Sequence, residues 1–297
     1  MLHGTTRSRR EKKEEAVKMI AVSPLPKGQA CKILEISRAG FYKKPRPIQK
    51  DESTLISAMQ QICLEFPRYG YRRVTKQLHR QGMPVNHKRI RALMKVHNLL
   101  VKRKRTKPKT TDSKHSLPRY PNLIEDLEVT RINQVWVADI TYVLCRGVFL
   151  YLALVMDLFS RKIVGWELSR TIDAELTVSA LNKAVASRKG SVEGCIHHSD
   201  HGSQYLSGEY MNRLHELRML PSMGEVGNSY DNAFAESLNK TVKNEEVWLN
   251  DYETFNQAYE CIAAFIKKYN EKRLHSSIGY LPPNEYEQQQ LNMAKVL

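Results

Sequence analysis

Asp139, Asp200 and Glu236 are the side chains in this sequence best suited to metal-assisted chemistry. Asp139 stands inside the apolar run 135–143, which reads as a buried strand. Asp200 follows the short run 195–199 and precedes His201 and Gly202, a strand end and a turn. Glu236 lies on helix-patterned residues after a Gly/Asn-rich loop at 223–231. A carboxylate within a strand is unfavourable unless it is paired or coordinated. Asp and Glu oxygens drawn from separate elements are what Mg²⁺ takes in phosphoryl-transfer sites. Thirty-five residues separate Asp200 from Glu236, and Lys243 follows Glu236 by seven.

Other acids and histidines compete for the same role. If the hairpin turns near Arg146, Asp139 faces roughly residue 153, and Asp157 is then about 13 Å further along. Asp157 is therefore expected to cap a turn outside the site. Glu225 and Asp231 flank the Gly/Asn-rich loop and are read as shaping it. His197, His198 and His201 could suggest zinc, but successive strand positions point to opposite faces and cannot converge. His198 and His201 are expected to make DNA or supporting contacts instead. An ordinary i,i+4 pair between Glu236 and Lys240 is the bland alternative for that helix. Residues 236, 240 and 243 nevertheless share one face, with Asn239 beside them. A carboxylate flanked by cations suits a place where Mg²⁺ and a DNA phosphate meet, so Lys240 and Asn239 are expected to contact DNA.

The blocks around these acids resemble a known family. They are His198-Ser199-Asp200-His201-Gly202-Ser203-Gln204-Tyr205, the stretch from Gly227 to Ser237 around Glu236, and Trp136-Val137-Ala138-Asp139-Ile140-Thr141-Tyr142. Asp157-Leu158-Phe159-Ser160-Arg161, Tyr269-Asn270 and Arg273-Leu274-His275-Ser276-Ser277 join them. In that order, from roughly residue 30 to the C-terminus, they resemble the retroviral-integrase-like D,D,E transposases. The likeness is greatest to the catalytic reading-frame product of the IS-three family of bacterial insertion sequences. The resemblance implies an α/β ribonuclease-H-like catalytic core preceded by all-α helix-turn-helix domains. It implies Asp139, Asp200 and Glu236 as the catalytic and metal-binding triad. It also implies a contact from Lys243 to the transposon end near the cleaved phosphate.

Two Mg²⁺ ions about 3.5–4 Å apart would activate an attacking oxygen and stabilise the leaving one; Mn²⁺ is expected to substitute. With water as attacker, such a site nicks DNA and leaves a 3′-OH. With that 3′-OH as attacker, it joins DNA to DNA. The family joins one end to the same strand near the other and then integrates the circular intermediate. Two further readings share these residues, a ribonuclease-H-type nuclease and a non-catalytic DNA-binding regulator or decayed copy. Strand transfer separates them. Active enzymes of the family are often frameshift fusions whose upstream frame adds a coiled coil, yet residues 1–50 show no sustained heptads. The expected partners are therefore terminal-inverted-repeat and target duplex DNA, further copies of the chain on DNA, and an upstream-frame protein or fusion.

The positioning elements follow from the hydrophobic pattern. Strands are predicted near 134–144, 147–157 and 160–169, the first two joined at Arg146-Gly147. A helix at 173–188, a strand before Asp200, a helix at 206–217 and a short strand at 219–222 follow. The Glu236 helix, a further helix at 252–270 and a turn-rich tail end the chain. Domains are expected at 1–50 (small helix-turn-helix-like segment), 51–100 (helix-turn-helix), 101–118 (basic linker), 119–250 (catalytic core) and 251–297 (C-terminal helix and tail).

Charge supplies the partner class. Residues 1–118 hold 29 Lys/Arg against 8 Asp/Glu, whereas residues 119–297 hold 18 against 23. A basic arm on a slightly acidic body suits polyphosphate. Within 11–44, helices are predicted at 11–21, from Pro26 to Leu34 and from Arg38 to Lys44. Within 51–100, helices are predicted at 51–65, at 72–80 and from an Asn86 cap to about Asn98. Arg72, Lys76 and Arg80 share one face, as do Lys88, Arg91 and Lys95, which matches a DNA-reading motif. Lys102, Arg103, Lys104 and Arg105 in the linker are expected to lie along the DNA backbone or in a minor groove. Five scattered cysteines with no CxxC argue against disulfides and zinc fingers. No apolar run is long enough to span a bilayer, and the expected compartment is a bacterial cytoplasm, with the protein on DNA.

Overall fold

The computed structural model describes residues 9–42, 52–101, 120–188, 190–224 and 232–294. The chain forms two compact units, residues 1–55 and 56–297. The first contains α1 (Arg9–Val22), α2 (Lys27–Ile33) and α3 (Arg38–Tyr42). Ile20, Ala30 and Cys31 are its buried centre. Pro26 caps α2, where its missing N–H costs nothing.

The second unit opens with most of α4 (Glu52–Glu65), then α5 (Tyr71–Arg80) and α6 (His87–Val96). The Asn86 side chain accepts the Lys88 N–H at 2.8 Å and starts α6. Val74, Leu78, Ile90 and Met94 are fully buried, the apolar stripes expected of the last two helices.

A five-stranded sheet follows, ordered β3-β2-β1-β4-β5. β1 (Val135–Cys145) and β2 (Val148–Asp157) form a long antiparallel hairpin. Arg146 and Gly147 turn it, both with positive φ (44° and 81°), the conformation that a two-residue connection requires. β3 (Ile163–Ser169) continues antiparallel. β4 (Ile196–Ser199) and β5 (Leu220–Met223) are parallel to β1. Pro221 is tolerated in β5 because the strand lies at the edge.

Helices cover both faces. α7 (Ala174–Ala186) lies against β3, so close at Gly165 that an added Cβ would sit 2.2 Å from the Ala180 carbonyl. Trp136, Ala138, Leu176, Leu181 and Tyr210 of α8 (Gly208–Glu216) fill that side. On the other side Val135, Val137, Leu152 and Leu154 pack on α9 (Ala233–Glu245) and α10 (Phe255–Lys272) through Leu238, Val242, Ile262 and Phe265. Three antiparallel strands followed by alternating helices and parallel strands make the ribonuclease-H-like fold. No helix among the described residues is long and apolar enough to cross a membrane.

The tail corrects one expectation. Instead of turns it forms α11 (Pro283–Ala294), begun by a proline at its first position. Glu287 of α11 is buried. It accepts hydrogen bonds from Ser160 Oγ (2.7 Å) and Arg188 Nη1 (2.7 Å), and pairs with Lys162 at 3.0 Å.

Candidate active site

β1 carries Asp139 at its centre, opposite Leu154, one position from the expected partner. The register Val137↔His198 between β1 and β4 brings Asp200, just beyond β4, to the level of Asp139. Glu236 lies in the first turn of α9, which packs on β1. Burial above all, then the charge of Asp200 and more weakly that of Glu236, push the Asp139 carboxyl up to about 7. Asp139 is thus within electrostatic reach of both Asp200 and Glu236.

Short hydrogen bonds hold two of these acids. Asp139 Oδ1 accepts the Ile140 N–H at 2.8 Å, and Oδ2 accepts Asn239 Nδ2 at 2.7 Å. Asp200 Oδ1 accepts the Gly202 N–H at 3.0 Å. No ion pair joins Glu236 to Lys240, so the ordinary surface pairing is not made. Lys240 is exposed and Lys243 half-buried on the same face as Glu236. Among the described residues no group of three or more His, Cys, Asp or Glu side chains is arranged to hold a metal ion.

Two of the residues expected near DNA lie inside the fold. His198 is fully buried, its Nδ1 2.9 Å from Ser222 Oγ, a position suited to the supporting contact rather than to an exposed one. Asn239 is also buried, and its amide is committed to Asp139. His197 points to the other face and meets the Tyr210 hydroxyl at 2.9 Å, as strand alternation requires. His201 is half-buried beside Asp200. Glu225, Asp231 and the linker residues Lys102, Arg103, Lys104 and Arg105 lie outside the described residues.

Asp157 belongs to another site. It is fully buried, accepts N–H bonds from Asn133 (2.8 Å), Phe159 (3.0 Å) and Ser160 (3.0 Å), and pairs with Arg188 Nη2 at 2.9 Å. It caps the β2–β3 turn, as expected.

Comparison with known proteins agrees with this architecture. An integrase core domain matches residues 129–229, a second integrase core domain 217–283, and an HTH-like domain 50–107. The transposase for insertion sequence element IS904 of Lactococcus lactis is 36% identical over 250 residues, 83% of this chain and 98% of the relative. The chain belongs to the IS-three family of insertion-sequence transposases. The transposase for element IS629 of Shigella sonnei is 33% identical over 271 residues, 88% of this chain and 90% of that one. The catalytic core domain of HTLV-2 integrase superposes with a TM-score of 0.41 at 16% identity, covering 52% of this chain and 96% of that one.

For a transposase of this family, the helix-turn-helix surface matters next. Arg72, Lys76, Arg80, Lys88, Arg91 and Lys95 are all exposed. Arg72 and Arg91 lie over the Tyr71 ring, each 5.7 Å from its centroid, and Arg80 pairs with Glu285 at 2.5 Å. The docking of this motif was not expected from the sequence. The Tyr69 hydroxyl accepts the Leu274 N–H at 2.7 Å, and Arg68 Nε donates to the Asn244 carbonyl at 3.1 Å. Arg273 holds Glu245 through two bonds of 2.7 Å, with Arg73 at 3.9 Å from the same acid. The motif is thereby seated on the C-terminal ends of α9 and α10. A second feature missed is Tyr205, buried between Tyr210 and the acids, whose hydroxyl has no hydrogen-bond partner.

Proposed function

We propose that this chain is a DNA transposase, a polynucleotidyl transferase that nicks element ends and joins them to DNA through Asp139, Asp200 and Glu236. The observation that carries this reading is the placement of Asp139 in β1, level with Asp200 just beyond β4 and near Glu236 in the first turn of α9, two acids whose charges add to burial in raising the Asp139 carboxyl. Such crowding disfavours the fold and is maintained where chemistry needs it. The donor set fits a divalent cation, being all hard oxygens. Asp139, Asp200 and Glu236 would hold it; Mg²⁺, with Mn²⁺ as substitute, matches those donors. When bound, the metal would polarise the phosphate and stabilise the attacking and leaving oxygens of an in-line displacement.

The chain's own residues do the rest. Asn239 fixes the Asp139 carboxylate through its amide, and the Gly202 N–H does so for Asp200. Lys240 and Lys243, about one and two turns along α9 from Glu236, would take the phosphate next to the reacting bond. The exposed basic faces of α5 and α6 would hold the duplex in register. DNA binding should thus persist without metal, while catalysis should need it. The test is a labelled duplex bearing the element's inverted-repeat end, incubated with purified protein and Mg²⁺. Strand-transfer products support a transposase. Nicking without joining would point to a nuclease, and binding without either to a regulator.

A further inference from the structure

A group of cations beside the β2–β3 turn lacks the acids to match it. Asp157 and Glu287 are taken by Arg188 and Lys162, and Glu245 is taken by Arg273 with Arg73 at its margin. Arg161 has no carboxylate partner among the described residues. Its guanidinium lies 4.7 Å over the Phe234 ring at the start of α9, and its Nε is buried without a hydrogen bond. Arg273 Nη1 is buried and unpartnered in the same way. His275 stands among Arg273, Arg161 and Arg73, and burial together with their charges holds its ring down at about 3, so it stays neutral. Lys76, one turn along α5 from Arg73, lies 5.5 Å over the Tyr280 ring in the segment after His275.

Three guanidiniums and an ammonium thus run from the start of α9, past His275, to the helix-turn-helix motif, with Glu245 as the acid among them. Unfilled guanidinium donors in a half-buried place call for an anion of tetrahedral oxygens, which they can grip at more than one point. We propose that Arg161, Arg73 and Lys76 form a phosphodiester track, carrying a DNA strand past His275 between the catalytic core and the helix-turn-helix motif. The proposal rests on the reading of the chain as a DNA-acting protein. It adds Arg161 and Arg73 to the basic faces of α5 and α6.

Binding of a fluorescein-labelled mixed-sequence duplex to the full chain, in metal-free buffer over a salt series, tests the track. Arg161→Gln should weaken binding roughly tenfold at low salt and reduce the log–log salt slope by about one. Arg161→Lys should keep the slope, and the thermal melts should match. A wild-type slope in Arg161→Gln overturns the track alone, because the wider reading is tested by catalysis. A wild type that does not bind the duplex removes both. Should Arg161→Gln fail to fold, arginine modification of the wild type decides instead. DNA must protect Arg161 and Arg73 from phenylglyoxal, and unchanged modification overturns the proposal.

Discussion

Two buried aspartates, Asp139 and Asp157, sit on neighbouring strands of one sheet and are treated in opposite ways. Asp157 is surrounded by donors, with three backbone N–H groups, Arg188, and Glu287 held beyond it by the same arginine. Asp139 has one amide, its neighbour's N–H and two repelling acids. Burial raises both carboxyls, but around Asp157 the Arg188 charge opposes it, whereas around Asp139 further negative charge adds to it. An acid that joins elements together is saturated with partners. Asp139, the acid proposed for chemistry, meets further negative charge instead.

The largest effect should come from breaking the saturated site. Arg188→Ala leaves Asp157 buried without its cation and Glu287 with Lys162 and Ser160 alone, which loosens α11 on the β2–β3 turn. It should destabilise the protein by about 3–5 kcal/mol, read as loss of the main transition in chemical denaturation. Asp139→Asn should do the reverse, abolishing catalysis while melting at or slightly above wild type, by about 1 kcal/mol. The Asn239 amide can turn over to meet the new donor, since its Oδ1 is otherwise unpartnered. A large loss of stability in Asp139→Asn would erase the distinction between the two acids.

Much of this contrast is legible in the sequence. The apolar run around Asp139, the Arg146-Gly147 turn and the helical spacing of 236, 240 and 243 place the acids on their elements. Counting residues back from the turn also separates Asp157 from the site. What could not be read depends on contacts between distant segments. Asn239 meets Asp139 across 100 residues, and Tyr69 meets Leu274 across 205. His198 shows the limit of alternation, which gives opposite faces for His197 and His198 but not that helices cover both. The sequence after 280 predicts turns because two prolines and a polar run conceal a helix, α11, whose buried side includes an acid, Glu287.

Acidification should expose a smaller difference. His275 and His197 both have ring pKa values lowered to about 3 from 6.5, so the folded state takes up protons later than the unfolded chain. Their stabilisation is complete above pH 6.5 and declines as pH falls from there towards 3. His275→Gln should flatten that acid slope in thermal melts between pH 6.5 and 4.5, and an unchanged slope would show that His275 is already charged in the fold. The smallest effect belongs to Tyr205→Phe, which deletes a buried hydroxyl that has no partner. Stability should hold within about 0.5 kcal/mol or rise, and a clear loss would reveal a bond to the neighbouring acids.

The central claim is that Asp139, Asp200 and Glu236 act together on DNA. It is tested most directly by Asp200→Asn and Glu236→Gln proteins assayed with Mg²⁺ for donor-strand nicking and strand transfer. Both should lose both activities while keeping wild-type duplex binding and thermal melts. Nicking or joining retained by either would contradict the assignment.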